Sequence, residues 1–149
     1  MSKSIQSLFK IDFANSPDEN FHEQGEPKII DNQIVRTYSN FFVEESDYEF
    51  GLFDTIDIKT FQNLPNKNFI FTNEVIAIGE DEIELIKKLT NEIHSCYGKD
   101  EEGRILFSQN DIEDIELGYW SKSWSNHKNP IMLSFDDENG LSLTIWITE

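Results

Sequence analysis

The stretch YWSKSWSNH, Tyr119 to His127, holds a lysine between two tryptophans with a histidine close behind. A lysine desolvated by aromatic neighbours can act as a nucleophile, and a histidine as its base, if other groups activate and orient them. No carboxylate lies between Leu117 and Phe135, so neither Lys122 nor His127 has a partner that the sequence identifies. The tryptophans meet in either backbone geometry. In an extended chain Trp120, Lys122 and Trp124 share one face; in a helix Trp120 and Trp124 are neighbours at i and i+4. The expectation is core for at least one of them, with the pair as a candidate aromatic anchor for a partner. Cys96, the one cysteine, stands two residues from His94. On a helix that spacing points the side chains apart, so a packed cysteine and a boundary histidine are expected rather than a thiolate dyad.

The other chemistries find little support. A single cysteine excludes an intrachain disulfide and a multi-cysteine zinc site. His22, His94 and His127 are scattered, and the acidic turns DDENG and KDEEG lack the alternating ligands and distal glutamate of a calcium loop. Neither a P-loop nor a dinucleotide fingerprint is present. No catalytic residue, metal or cofactor is therefore assigned, although paired carboxylates among so many acids could meet in space.

Carboxylates dominate. The chain has 29 acidic and 12 basic residues in 149, a formal net charge of −17, where roughly 2–8 units suffice to keep a small domain soluble. Such a field repels nucleic acid and anionic lipid and attracts basic proteins. The segment 43–57 carries Glu44, Glu45, Asp47, Glu49, Asp54 and Asp57 without a basic residue, interleaved with Tyr48, Phe50 and Phe53. Acids steer and pair with Lys or Arg, and aromatics anchor. A half-buried strand pair with acids outward fits the same pattern. Acids at 80–84 and at 111–116, including Asp111, Glu113 and Asp114, extend the candidate partner-binding set, to which Trp120 and Trp124 are added.

These residues need elements to hold them. The length suits a single domain, 1–149, with 14–27 as a loosely structured surface loop. Ser16, Pro17 and Glu19 could start one helical turn there. Residues 29–58 read as strands, NLPNKN as a turn, and FIFTNEVIAIG (69–79) as a strand or hairpin. A helix is expected from about Glu82 to Tyr97, with Ile83, Ile86, Leu89, Ile93 and Cys96 on its apolar side. Asp81 and Glu84 resemble its capping box, and Gly98 its stop. RILFS reads as a short strand, and NDIEDIELG as a short helix capped by Asn110 and stopped at Gly118. PIMLSF and LSLTIWITE form a hairpin around Asn139–Gly140, with Leu141, Leu143, Ile145 and Ile147 on one face. The sum is an α+β fold: a mostly antiparallel sheet, one main amphipathic helix and a C-terminal β-hairpin.

In size, acidity and strand–helix texture the chain resembles the small acidic immunity proteins of bacterial toxin–immunity systems, including contact-dependent inhibition and polymorphic toxins. Its Asn- and Ile-rich composition is compatible with an AT-rich bacterial genome. The resemblance implies a cytoplasmic protein that binds and neutralises a cognate basic toxin domain, often a nuclease, without touching nucleic acid or membrane itself. The N-terminal MSKSIQSLFKIDF lacks the apolar stretch of a signal peptide, and no apolar run approaches the ~20 residues of a membrane span. Two alternatives remain: a nucleic-acid mimic of phage or mobile-element origin, with carboxylates in rows, and a small carboxylate- or metal-dependent enzyme with a deep acidic pocket.

Overall fold

Two residues with left-handed backbone, Asp31 (φ 50°) and Asn32 (φ 64°), make the first tight turn. Positive φ at both positions is what a two-residue hairpin with native twist requires, and Asn and Asp tolerate it. The computed structural model describes residues 17, 19, 21–40, 52–62 and 64–148. In chain order the elements are β1 (His22–Glu23), β2 (Lys28–Ile30), β3 (Gln33–Asn40), β4 (Thr55–Phe61), β5 (Leu64–Asn73), α1 (Glu80–Tyr97), α2 (Gln109–Glu116), β6 (Tyr119–Trp124), β7 (Ile131–Asp136) and β8 (Gly140–Ile147).

The strands form one eight-stranded sheet, ordered β1-β3-β4-β5-β8-β7-β6, with β2 also along β3. Every pairing is antiparallel. The fold is the expected α+β arrangement, and the C-terminal hairpin is β7–β8. Alternation along β8 turns Leu141, Leu143, Ile145 and Ile147 into the core. Across the sheet they meet Phe69 and Phe71 of β5 and Ile131, Leu133 and Phe135 of β7. Ile86, Leu89 and Ile93 of α1 are fully buried against this face, as their spacing on one side of a 3.6-residue helix predicts.

Several boundaries differ from expectation, each for a local reason. α1 starts two residues earlier than Glu82, because Glu82 itself caps it by accepting the Gly79 amide (2.8 Å). α2 is capped by Ser108 and Asp111 rather than Asn110. RILFS is a loop, since its amides go to side-chain oxygens instead of a neighbouring strand: Arg104 to Asp100, Phe107 to Asn91 and Ser108 to Asp111. β5 begins at Leu64, inside the stretch read as a turn, and leaves the sheet at Asn73, so residues 74–79 are not a hairpin arm. Residues 22–23 add to the sheet edge through Ser39 and Tyr38, and Arg36 pairs with Glu23 (2.8 Å), within the segment read as loop. Of the suggested turn at 16–19, residues 16 and 18 lie outside the described residues, and Glu19 is in a turn. Among those residues, no helix is long and apolar enough to cross a membrane.

Candidate functional site

β6 is extended, so Trp120, Lys122 and Trp124 all face the core. The tryptophans are 2% and 1% exposed and the lysine 6%. This corrects the reading of the pair as an exposed anchor: the alternation that brings them together also buries them. A buried ammonium needs anions. Lys122 Nζ lies 2.7 Å from Asp100 Oδ2 and 3.6 Å from Asp111 Oδ2. Asp100 Oδ1 also accepts the amides of Glu102 (2.9 Å) and Arg104 (3.0 Å). Asp111 accepts Trp120 Nε1–H (3.0 Å) and the Ser108 amide (2.8 Å), with the Arg104 guanidinium 3.9 Å away. Two carboxylates thus face two cations. Asp111, expected to meet a partner, is instead 2% exposed and committed to β6.

His94 closes the same knot. Its Nδ1–H donates to the Gly98 carbonyl (2.9 Å), which also accepts Trp124 Nε1–H (3.2 Å). Nε2 is then a bare acceptor, buried without a hydrogen-bond partner among the described residues and 3.9 Å from Asp100 Oδ2. Burial holds the His94 pKa below its usual value, with the Lys122 charge acting in the same direction. Burial works against the Asp100 carboxylate, but bonds from Lys122 and the Arg104 amide outweigh it and hold its pKa low. Burial pushes Tyr97 up to about 12; its hydroxyl donates to the Asn129 carbonyl (2.5 Å). None of the clefts described below is lined by His94, Asp100, Asp111 or Lys122. With its charges paired inside the core, this network can tie α1, α2 and their connecting loop to the edge strand β6. His127 is exposed and its ring leans on Tyr97 (4.6 Å between centroids).

The surface feature lies at the end of the sheet where α1 begins and α2 stops. One cleft, of about 350 Å³, has Ile76, Ile78, Ile115 and Phe135 for walls and Glu74, Glu116, Asp136 and Asp137 at its rim. The adjoining one, of about 600 Å³, has Ile78, Ile83 and Ile112, with Glu80, Asp81, Glu84 and Glu116. They share Ile78 and Glu116, and neither is lined by a Lys, Arg or His. A third cleft continues past Ile76 to Leu52, Asp54, Glu82 and Leu85.

Two turns and two helix ends bring these carboxylates together. Asp136 accepts the Glu138 and Asn139 amides (3.0 and 2.6 Å), and the Asn139 bonds lower its pKa. That turn sits flush on β5: Gly140 has φ +79°, and a Cβ there would stand 2.2 Å from the Asn73 carbonyl oxygen. The acids of α1 occupy its first turn, where the helix dipole favours them. α2 is the opposite case. Glu113, Asp114 and Glu116 crowd its C-terminal half, whose last turn has no basic residue, at the end where the dipole disfavours negative charge.

Of the sequence-predicted partner set, Asp54 is exposed and lines the third cleft, and Glu113 and Asp114 are exposed on α2. Asp57 is half-buried and accepts the Ser39 hydroxyl (2.5 Å); alternation along β4 puts it opposite the core-facing Ile56 and Ile58. That bond makes it part of the sheet rather than a free surface acid. Glu44, Glu45, Asp47 and Glu49 lie outside the described residues. The clefts also recruit Glu74, Asp136 and Asp137, which the sequence reading did not single out. The signal was the charge of EVIAIGEDE and DDEN, the first read as strand or hairpin running into a helix cap and the second as a hairpin loop. Among the described residues, no group of three or more His, Cys, Asp or Glu is placed to hold a metal ion. No protein family, curated protein or solved structure matches this chain.

Proposed function

We propose that the chain is an immunity-type protein that binds and neutralises a cognate basic toxin domain, using the joined clefts between α1, α2 and the β7–β8 turn. One observation carries this reading: adjoining apolar-walled clefts whose ionisable lining is all carboxylate and which share Glu116. A Lys or Arg side chain suits both parts of such a cleft, its stem against isoleucine and its head at the rim. The acids of α2 support it further. Carboxylates kept at the wrong end of a helix cost stability, and a basic partner would offset that cost. The wider −17 field would steer the encounter. In this reading the protein works in the cytoplasm, where such a toxin would act, and performs no catalysis itself.

Co-expression with the basic domain encoded beside this gene tests the proposal. The expected outcome is a stable complex and relief of toxicity, both lost when Glu80, Glu84 and Glu116 are changed to Lys. Unrelieved toxicity with no complex contradicts it. Inhibition of unrelated DNA-binding enzymes would favour the nucleic-acid mimic instead.

A further inference from the structure

We propose that residues 76–78 take up an extended, Lys- or Arg-bearing segment of the partner as an added strand, an inference that rests on the reading of the clefts given above. β5 ends its pairing at Asn73 opposite Leu141, and the chain then leaves the sheet. From Val75 to Gly79 exposure alternates with a period of two. Ile76 and Ile78 are half-buried against the core, while Val75 (85% exposed) and Ala77 face outward. This is the alternation of an extended chain. Glu74 and Val75 form a turn, and beyond it the Ile76 carbonyl and the backbone of Ala77 and Ile78 have no backbone partner among the described residues. The next backbone bond along the chain is the Gly79 carbonyl accepting the Ile83 amide at the start of α1.

The extended backbone from Ile76 to Ile78, roughly 10 Å at the usual strand rise, therefore runs between apolar-walled clefts. Ile76 lines one on each side of it, and Ile78 joins the first to its neighbour. A strand laid alongside would satisfy these main-chain groups and point alternate side chains in opposite directions. Apolar side chains on one face would meet Ile76, Ile78 and Phe135. Basic ones on the other would reach the rim, where Glu74, Glu80 and Glu116 stand. Backbone pairing gives affinity without side-chain specificity, and the carboxylates supply the preference for a cationic strand.

Amide hydrogen exchange of the full chain, with and without a short peptide of alternating arginine and valine, tests this. A peptide in which proline replaces each valine has the same charge but cannot complete a ladder. The alternating peptide is expected to bind about tenfold more tightly or better, to slow exchange of the Ala77 and Ile78 amides, and to weaken as salt rises. Equal affinity for the two peptides, or binding that leaves those amides unprotected, overturns strand addition. If the basic domain encoded beside this gene binds while these amides stay unprotected, strand addition fails and the carboxylate-cleft reading stands. If neither peptide nor that domain binds, both fail.

Discussion

Lys122 is the residue on which the interior turns. Its 2.7 Å bond to Asp100, with Asp111 at 3.6 Å, leaves two carboxylates that need it. Lys122→Met should cost about 3–5 kcal/mol, because removing one member of a buried pair strands the rest; urea unfolding measures it. The same network sets an acid limit. The folded-state pKa of His94 is depressed, so as pH falls below its usual 6.5 the unfolded chain takes up a proton there before the folded chain does. Asp100 is depressed from 3.8 and acts in the same direction at lower pH. Stability should therefore be fully present above about pH 6.5, decline below it, and fall again as Asp100 protonates. Melting curves across that range should show the first decline removed in His94→Gln. Half of this network was legible. Alternation in an extended chain puts Lys122 on one face with Trp120 and Trp124, with core expected for at least one of them, but its counterions are 22 and 11 residues away, in a charged turn and a short helix. Abundant acids make any one pairing invisible in sequence, although a lysine on a buried face always demands one.

At the scale of elements, periodicity was the reliable guide. The 3.6-residue pattern of α1 and the two-residue pattern of β8 each specify which face is buried, and packing follows from that. RILFS misled because its apolar run satisfies a strand pattern, yet Ile105 and Leu106 are 58% and 61% exposed. Side-chain oxygens of Asp100, Asn91 and Asp111 claim its amides; Asp100 and Asp111 are four and three residues from the amides they accept, while Asn91, 16 residues away, leaves no local signature. The hairpin turn has a sharper requirement. Gly140→Ala should cost more than the roughly 1–2 kcal/mol of a left-handed non-glycine residue, since the added Cβ also meets the Asn73 carbonyl; thermal denaturation measures it. α2 offers a test with opposed signs. Glu116→Lys should stabilise the isolated chain by about 0.3–1 kcal/mol by complementing the helix terminus, while weakening capture of a basic partner. A variant that is both more stable and still a full binder would remove Glu116 from the interface.

At the scale of the molecule, a sheet backed by helices on one face is closed at its centre and acidic at one end. The excess charge was plain in the composition, but its concentration was not. Glu74, Glu80, Glu84, Glu116, Asp136 and Asp137 come from four separate stretches that only the fold brings to one place. The segment 43–57, the most acidic in sequence, directed attention elsewhere; its described acids are one at the third cleft and one bonded to Ser39. The central claim is that these joined clefts receive a basic protein domain. The most direct measurement is the association rate of the domain encoded beside this gene, taken across ionic strength for the native chain and for the Glu80→Lys, Glu84→Lys, Glu116→Lys triple variant. Steering by the clefts predicts a rate that falls steeply with salt, and a loss of about tenfold or more in the variant at low salt. A rate indifferent to salt and to the three reversals would contradict the claim.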